Sequence, residues 1–283
     1  MRLWPLFGFV RAVTTMSADS ASAQVFYASY DQTADAVVNE QSVTGELLPE
    51  AGLTDESLRG GGLAVPTTGG VSYPAAGFPL ECGCLQMWVR ADFEGTDDVR
   101  RWFFCDSNMR FKLFKYYNGN LYFQLRTDEG GFHADVPIAW MPGEWYHIAC
   151  TWEHINSGQD DGTIRLYIDG AVEATATGNF PIPSIGNRLF VGCDRDGAEA
   201  AEAVIDEVKI YDEPKIKINF PPGLLKAHDP KDYALSQLGA SVTASSEILS
   251  FKGKDYPASA VIDGEVSGVY WASDFIFGTT QGP

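Results

Sequence analysis

Thr163-Ile164-Arg165-Leu166-Tyr167-Ile168-Asp169-Gly170 is the stretch on which the fold turns. Ile164, Leu166 and Ile168 fall on one face and Thr163, Arg165 and Tyr167 on the other, the period of two expected of a half-buried strand. Asp169-Gly170 then closes the run with a tight-turn dipeptide. Working outward, Leu85-Gln86-Met87-Trp88-Val89-Arg90 and Leu121-Tyr122-Phe123-Gln124-Leu125-Arg126 alternate in the same way. Asn118-Gly119, between residues 111–117 and 121–126, is a second hairpin signal. From Val25 to Glu213 the chain is a series of short extended runs bounded by Gly, Pro, Asn and Asp, the pattern of an all-β sandwich or barrel. Residues 48–58 alone read as able to hold a short helix.

The rest of the composition agrees with a globular protein. The 283 residues are 45% hydrophobic and 20% charged, enough apolar material for a sizeable core. Twenty Lys and Arg against 38 Asp and Glu give a net charge of −18. A chain that negative repels phosphate backbones and anionic headgroups, which argues against nucleic-acid and membrane-surface partners. No apolar run reaches the ~18–20 residues of a membrane span. Cysteines stand at 82, 84, 105, 150 and 193. An odd number leaves at least one thiol unpaired within the chain, a single disulfide is compatible with the spacing, and no Cys/His spacing points to zinc.

One strand is unusual. In Ala203-Val204-Ile205-Asp206-Glu207-Val208-Lys209-Ile210-Tyr211 the alternation places Asp206 on one face with Val204, Val208 and Ile210. A carboxylate there needs backbone N–H groups, a cation or a metal. Glu207 and Lys209, on the other parity, are expected in solvent.

Several segments resemble one family. Phe26-Tyr27-Ala28-Ser29-Tyr30-Asp31, the Gly-rich 60–65 and Gly77-Phe78-Pro79-Leu80 resemble the opening strands of laminin-G-like, concanavalin A-like domains. More specific are residues 140–152, Trp-Met-Pro-Gly-Glu-Trp-Tyr-His-Ile-Ala-Cys-Thr-Trp, which are similar to the family's W-x-x-G-E-W-x-H-(V/I)-A-x-T-W strand. Leu166-Tyr167-Ile168-Asp169-Gly170 is similar to its L-Y-(V/I)-D-G hairpin, and Leu189-Phe190-Val191-Gly192 and 205–211 to its closing strands. The resemblance implies an antiparallel two-sheet jelly roll over residues 24–213. It also implies a lectin-like or adhesion module of a secreted protein, in some relatives with one calcium ion and in others with glycosidase activity.

The ends differ in character. Residues 1–23 combine Met1-Arg2, a short apolar stretch and Ala21-Ser22-Ala23, the parts of a secretory signal, although Arg11 interrupts them and a ragged terminus is the alternative. Residues 214–232 read as a Pro-containing linker. Residues 233–283, with Ala244-Ser245-Ser246, Ala260-Val261-Ile262-Asp263-Gly264 and Trp271-Ala272-Ser273, resemble the start of a discoidin domain, an incomplete second β-sandwich of a longer chain. That resemblance places Asp263 at a calcium-associated turn and Ser267 near a hydroxyl position.

The chemistry that remains is binding. Laminarinase-type relatives carry E-x-D-x-x-E, which does not occur here, and adjacent Asp206 and Glu207 point to opposite faces, so the paired carboxylates of a glycosidase are missing. His147 is the one candidate base. The acidic loop Asp194-Arg195-Asp196-Gly197 with Glu199 and Glu202 lacks EF-hand spacing. Asp31 and Asp206, from first and last strands expected to be neighbours, are the candidates for one structural calcium, with hydrogen bonding to backbone amides as the alternative. Sugar recognition needs aromatics beside planar hydrogen-bonding groups. Trp88, Arg90, Tyr122, Gln124, Arg126, Arg165 and Tyr167 lie opposite the aliphatic parity on three strands and are the candidate glycan contacts. The expectation is a non-catalytic, secreted polysaccharide-binding module acting beside neighbouring domains. An enzyme on the same fold and a protein-binding adhesion module are the rivals.

Overall fold

A computed structural model describes residues 24–216 together with 250, 251, 254 and 255. Seventeen strands fill the first range: β1 (Gln24–Ala28), β2 (Ala36–Val38), β3 (Gln41–Val43), β4 (Glu46–Leu47), β5 (Gly52–Thr54), β6 (Gly62–Val65), β7 (Val71–Pro74), β8 (Gly83–Ala91) and β9 (Arg101–Asp106). They continue with β10 (Phe111–Lys115), β11 (Asn120–Arg126), β12 (Gly131–Pro137), β13 (Trp145–Glu153), β14 (Gly162–Ile168), β15 (Ala171–Gly178), β16 (Arg188–Val191) and β17 (Ala203–Tyr211). The first sheet runs β15-β14-β13-β8-β17-β1-β2-β3, with β6 also on β17 and β5 on β6; the second runs β12-β11-β10-β9-β16-β7-β4. Every pairing is antiparallel, and the two sheets form the sandwich that the alternation and the resemblance imply.

The two hairpin signals act as the turn chemistry requires. Asp169 and Gly170 both have positive φ (50° and 86°), and Ile168 pairs with Ala171, the geometry of a two-residue type I′ turn. At the other hairpin the Tyr116 N–H bonds the Asn120 carbonyl and Gly119 sits at φ 78°, a three-residue loop that ends in a left-handed glycine.

The core lies between the sheets. Leu85, Met87 and Val89 of β8, Ile148 and Cys150 of β13, and Ile164 and Leu166 of β14 face Phe111, Leu113, Leu121, Phe123 and Leu125 of the second sheet. Trp152 is its aromatic centre, stacked on Phe78 at 5.4 Å and edge-on to Phe111 at 5.2 Å. Its indole N–H is satisfied by the Pro79 carbonyl at 2.8 Å.

Four expectations need correction. Residues 48–58 form no helix: Glu50 turns at φ 69°, and Gly52–Thr54 pairs with β6. Val204, Asp206, Val208 and Ile210 do not share a face, because a β-bulge between Asp206 and Lys209, with Glu207 at φ 54°, reverses the parity. Val208 and Ile210 therefore enter the core, whereas Asp206 pairs with Trp88 on the outer side. Glu207 is buried rather than solvated, accepting a hydrogen bond from the Tyr27 hydroxyl at 2.7 Å and an ion pair from Lys209 at 2.5 Å. Finally, no disulfide forms among the described residues. Residues 1–23 and most of 217–283, including Asp263, Ser267 and nearly all of the discoidin-like segment, lie outside the described residues. There β18 (Ser250–Phe251) and β19 (Lys254–Asp255) make one short antiparallel pair.

Candidate functional site

The seven predicted glycan contacts do not come together. Trp88 and Arg90 are on β8 and Arg165 and Tyr167 on β14, both in the first sheet, whereas Tyr122, Gln124 and Arg126 are on β11 of the second. The two groups therefore occupy opposite outer faces of the sandwich. On the first sheet Trp88 is buried with its ring edge-on to His147 at 5.0 Å, and Tyr167 packs with Cys84, Ala149, Tyr211 and Ile216. Arg90 pairs with Glu56 and Asp92, and Arg165 with Glu153. This is a packed face with its guanidinium groups already matched.

The other outer face is organised differently. Register places Trp102 of β9 opposite Phe114 of β10, Phe114 opposite Tyr122 of β11, and Tyr122 opposite Asp135 of β12. Stacking follows the register, with ring centroids 4.9 Å apart for Trp102–Phe114 and 5.3 Å for Phe114–Tyr122; His133 lies 5.3 Å beyond Tyr122. An aromatic row therefore crosses four strands. Beside it runs a second row in which Phe190 is opposite Cys105, Cys105 opposite Lys112, Lys112 opposite Gln124 and Gln124 opposite His133. Hydrogen-bonding groups border the rings: the Asn118 side-chain amide donates to the Tyr122 hydroxyl at 2.9 Å, and Asn120 donates to Asp135 at 2.7 Å. Tyr116 and Tyr117 stand exposed at the end of the β10–β11 hairpin, 39% and 47% accessible.

Two loops clamp the β9 end of the row. Arg100 lies 5.7 Å over the Trp102 ring and 5.6 Å over Tyr117, and it pairs with Glu199 at 2.5 Å. Glu199 also accepts the Trp102 indole N–H at 3.0 Å. The acidic 194–202 loop thus serves as a strut. Asp194 caps its own loop through the Asp196 and Ala198 amides, and Glu202 pairs with Arg101. Beneath the 94–100 loop, Lys115 is wholly buried and shares the Asp97 carboxylate with Arg101, at 2.6 and 2.7 Å.

Lys112 is the electrostatic anomaly of this face. Only 8% accessible, it has no carboxylate within 4 Å among the described residues. Burial, followed by the nearby positive charge of Arg126, pushes its amine down to about 8. The carboxylate that acts on it, Asp106, is engaged elsewhere: its two oxygens accept the amides of Asn108, Arg110, Phe111 and Gly186 at 2.7–3.0 Å.

The remaining candidates resolve as follows. His147 is buried, and burial holds its imidazole down at about 3, so it is neutral and out of reach of a substrate. β1 and β17 are neighbours, as expected. Asp206 accepts the Leu58 and Arg59 amides on one oxygen, at 3.1 and 3.0 Å, and Asp31 accepts that of Gly61 at 3.1 Å. Both carboxylates thus hold the same loop through backbone amides. That loop needs its glycines, since a Cβ on Gly61 would come within 2.6 Å of the Tyr30 carbonyl oxygen. Among the described residues no group of three or more His, Cys, Asp or Glu is arranged to hold a metal. The fit to calcium is therefore partial: Asp206 Oδ1 is buried without a hydrogen-bond partner, and burial raises its carboxyl to about 7.

Trp102, Phe114 and Lys112 were not among the sequence candidates. β9 and β10 are buried on both faces and carry aromatic residues on both, so Trp102 and Phe114 are indistinguishable from core by alternation. The signal available was the hairpin register, which places Phe114 and Lys112 beside Tyr122 and Gln124.

Known proteins place this architecture. The binding domain of botulinum neurotoxin serotype D superposes over 68% of this chain and 49% of its own, with 11% identity and a TM-score of 0.54. The same serotype's ligand binding domain in complex with N-acetylneuraminic acid gives 0.51 at 11% identity, with 68% and 48% covered. Domain 4 of AbnA, a GH43 extracellular arabinanase from Geobacillus stearothermophilus, in complex with arabinotriose, gives 0.54 at 15% identity, with 68% and 93% covered. This chain thus spans about half the length of the toxin domains it matches. No curated protein matches the sequence. Among the described residues no helix is long and apolar enough to cross a membrane. The family model of the concanavalin A-like lectin/glucanase superfamily, of the laminin G type, matches residues 66–215. Covering more than half of the chain, that match makes this protein a member of the concanavalin A-like lectin/glucanase superfamily.

Proposed function

We propose that this chain is a non-catalytic glycan-binding module of a longer secreted protein, and that it binds saccharide on the outer face of the second sheet. One observation carries the reading: the Trp102–Phe114–Tyr122–His133 row, bordered by Gln124, Asn118, Asn120 and Asp135. Because the rings stack on one another and Trp102 and Phe114 are nearly buried, the row offers a saccharide the exposed part of Tyr122, rigidly backed by the other rings, with planar amides beside it to suit the hydroxyls. Tyr122, Gln124 and Arg126 keep their proposed role, while Trp88, Arg90, Arg165 and Tyr167 belong to the packed opposite face. The arabinotriose and N-acetylneuraminic acid complexes of the structural relatives add support at the level of shared architecture.

Binding without turnover agrees with the chemistry on this face. Asp135 is bonded to Asn120 and Glu199 to Arg100 and Trp102, which are the roles of positioning groups, not of an acid and base pair. The discoidin-like segment 233–283 is proposed as the start of a neighbouring binding module, reinforcing weak affinity through effective concentration. The test is a glycan array on the full chain, followed by titration calorimetry of the hits against Tyr122→Ala and a reducing-end release assay. Saccharide binding weakened by Tyr122→Ala, without release of ends, is the expected result. Turnover would establish the enzyme alternative, and array silence with a specific protein captured instead would establish the adhesion alternative.

A structural calcium at Asp206 is proposed as a second feature, favoured by its orphaned Oδ1. Asp206 with Asp31 supplies carboxylate oxygens, and backbone carbonyls would have to complete the six to eight that calcium takes. Asp263 would serve the neighbouring module in the same way. A rise in melting temperature on adding calcium to EDTA-treated protein, lost in Asp206→Asn, tests the first of these.

A further inference from the structure

We infer that the saccharide recognised on this face is acidic, a pyranose carrying a carboxylate or sulfate, and that Lys112, assisted by Arg126, receives its anionic group. This rests on the glycan-binding reading above and narrows its ligand class.

The argument is one of unmatched charge. The chain carries −18 overall, with nearly two acidic residues for every basic one. In such a protein an outer-face cation finds a carboxylate easily, and most do. Arg90, Arg100, Arg101, Arg110, Arg165, Arg188 and Lys209 each have one within 4 Å. Lys112 and Arg126 do not. They sit near each other on adjacent strands, close enough that the guanidinium disfavours the ammonium charge. Two unpaired cations brought together, one of them 8% accessible, are destabilising by themselves. The carboxylate whose charge Lys112 feels is withheld by construction, since Asp106 is saturated by four backbone amides. A site that concentrates positive charge and turns its own anions away is complementary to an anion from outside.

The surroundings narrow the ligand further. Lys112 stands 6.0 Å over the Phe114 ring and directly across from Gln124. The cation is thus one residue's breadth from the aromatic row rather than on an open basic patch. A ligand satisfying both needs an apolar ring face and a fixed anionic substituent a few ångströms to one side, as in a uronic acid or a sulfated sugar. A phosphate polymer would meet the repulsion of the rest of this acidic surface.

The test uses the full chain and matched probes: oligogalacturonate against its methyl-esterified counterpart, and sulfated against desulfated carrageenan oligosaccharides. The charged member of at least one pair should bind roughly 10- to 100-fold more tightly, the range of a charge-assisted hydrogen bond, and more weakly as salt rises. The carboxylate and sulfate arms report which anion is preferred. Lys112→Gln should remove that preference without lowering the melting temperature, Lys112→Arg should retain most of it, and Arg126→Gln, at the exposed rim, should reduce it in part. Equal affinity within both pairs, or a preference untouched in Lys112→Gln and Arg126→Gln alike, overturns the inference. If neutral saccharides bind and Tyr122→Ala abolishes it, the glycan reading stands and only the acidic specificity falls. If no saccharide binds in any arm, both fall.

Discussion

Tyr122→Ala and Arg165→Ala make the sharpest pair of perturbations, because both residues qualify as glycan contacts by sequence and the fold sends them to opposite faces. Tyr122 is partly buried between Phe114 and His133, each ring centroid 5.3 Å away. Truncating a fully buried aromatic costs about 3–5 kcal/mol, and a ring half in solvent about half of that, roughly 2 kcal/mol. In a domain of this size that lowers Tm by roughly 4–8 °C, leaving the protein folded at assay temperature. If the exposed part of the ring also contacts a sugar, its removal takes a further ~1–2 kcal/mol from binding alone, a loss of about 5- to 30-fold in affinity. Arg165 makes one partly exposed ion pair with Glu153 at 2.6 Å, so Arg165→Ala should stay within about 0.5 kcal/mol in stability and leave affinity unchanged. Tyr122→Phe separates stacking from the hydroxyl that Asn118 bonds, and should retain most of the affinity. Calorimetry with the array-identified saccharide, beside thermal melts of all three variants, reads both quantities. Affinity within twofold of the parent for Tyr122→Ala, with a loss for Arg165→Ala, would place the ligand on the wrong sheet and refute the reasoning.

Three further outcomes follow from the same structure. Asp97→Ala leaves the fully buried Lys115 and the nearly buried Arg101 without their shared carboxylate; because Asp97 keeps some solvent access, the cost should fall at the low end of the range for a broken buried pair, about 3 kcal/mol by denaturant titration. In calcium-free buffer Asp206, raised to about 7 by burial against ~3.9 unfolded, binds its proton more tightly when folded, so its penalty is absent below about pH 4 and complete above about pH 7. Calcium should therefore raise Tm most at pH 7 and above and hardly at all near pH 4, and a pH-independent increment, or one surviving in Asp206→Asn, would count against that site. Lys112, held down at about 8 against ~10.4 unfolded, carries its full penalty below about pH 8 and sheds it as the pH rises toward 10; stability melts across this window should show a rising contribution that Lys112→Met abolishes.

Much of the architecture was legible because it depends on short-range rules. The three alternating runs are β8, β11 and β14, and Asp169-Gly170 and Asn118-Gly119 make the turns their chemistry favours. Alternation assigns each residue to one of two faces of its own strand, but it carries no information on which sheet the strand joins. That is why Trp88 and Tyr122, equivalent by parity, end on opposite sides of the sandwich. The β17 expectation failed for a different reason: a single left-handed residue, Glu207, inverts every parity beyond it, and nothing about a glutamate announces positive φ.

The proposed binding face was legible one step further than alternation reaches. A three-residue loop that ends in a left-handed glycine at 119 sets Tyr116 against Asn120, and counting back from that pair places Phe114 across from Tyr122 and Lys112 across from Gln124. Turn chemistry alone thus recovers half of both rows, including the cation. Trp102 and His133 come from strands on either side, and their positions depend on contacts far along the chain, in particular on the irregular register between β9 and β10 at Leu113 and Phe114. That irregularity shapes the proposed site. It lets Phe103 and Phe104 both be fully buried while Trp102, itself 5% accessible, stays in line with Phe114, where Arg100 and Glu199 hold it. A one-residue deletion at 103 would remove the bulge and keep Trp102 opposite Phe114, so the aromatic row should survive it, whereas Trp102→Ala would remove one ring and leave the other two stacked. Saccharide affinity kept in the first variant, where it folds, and partly lost in the second is the result expected if the row contributes as proposed.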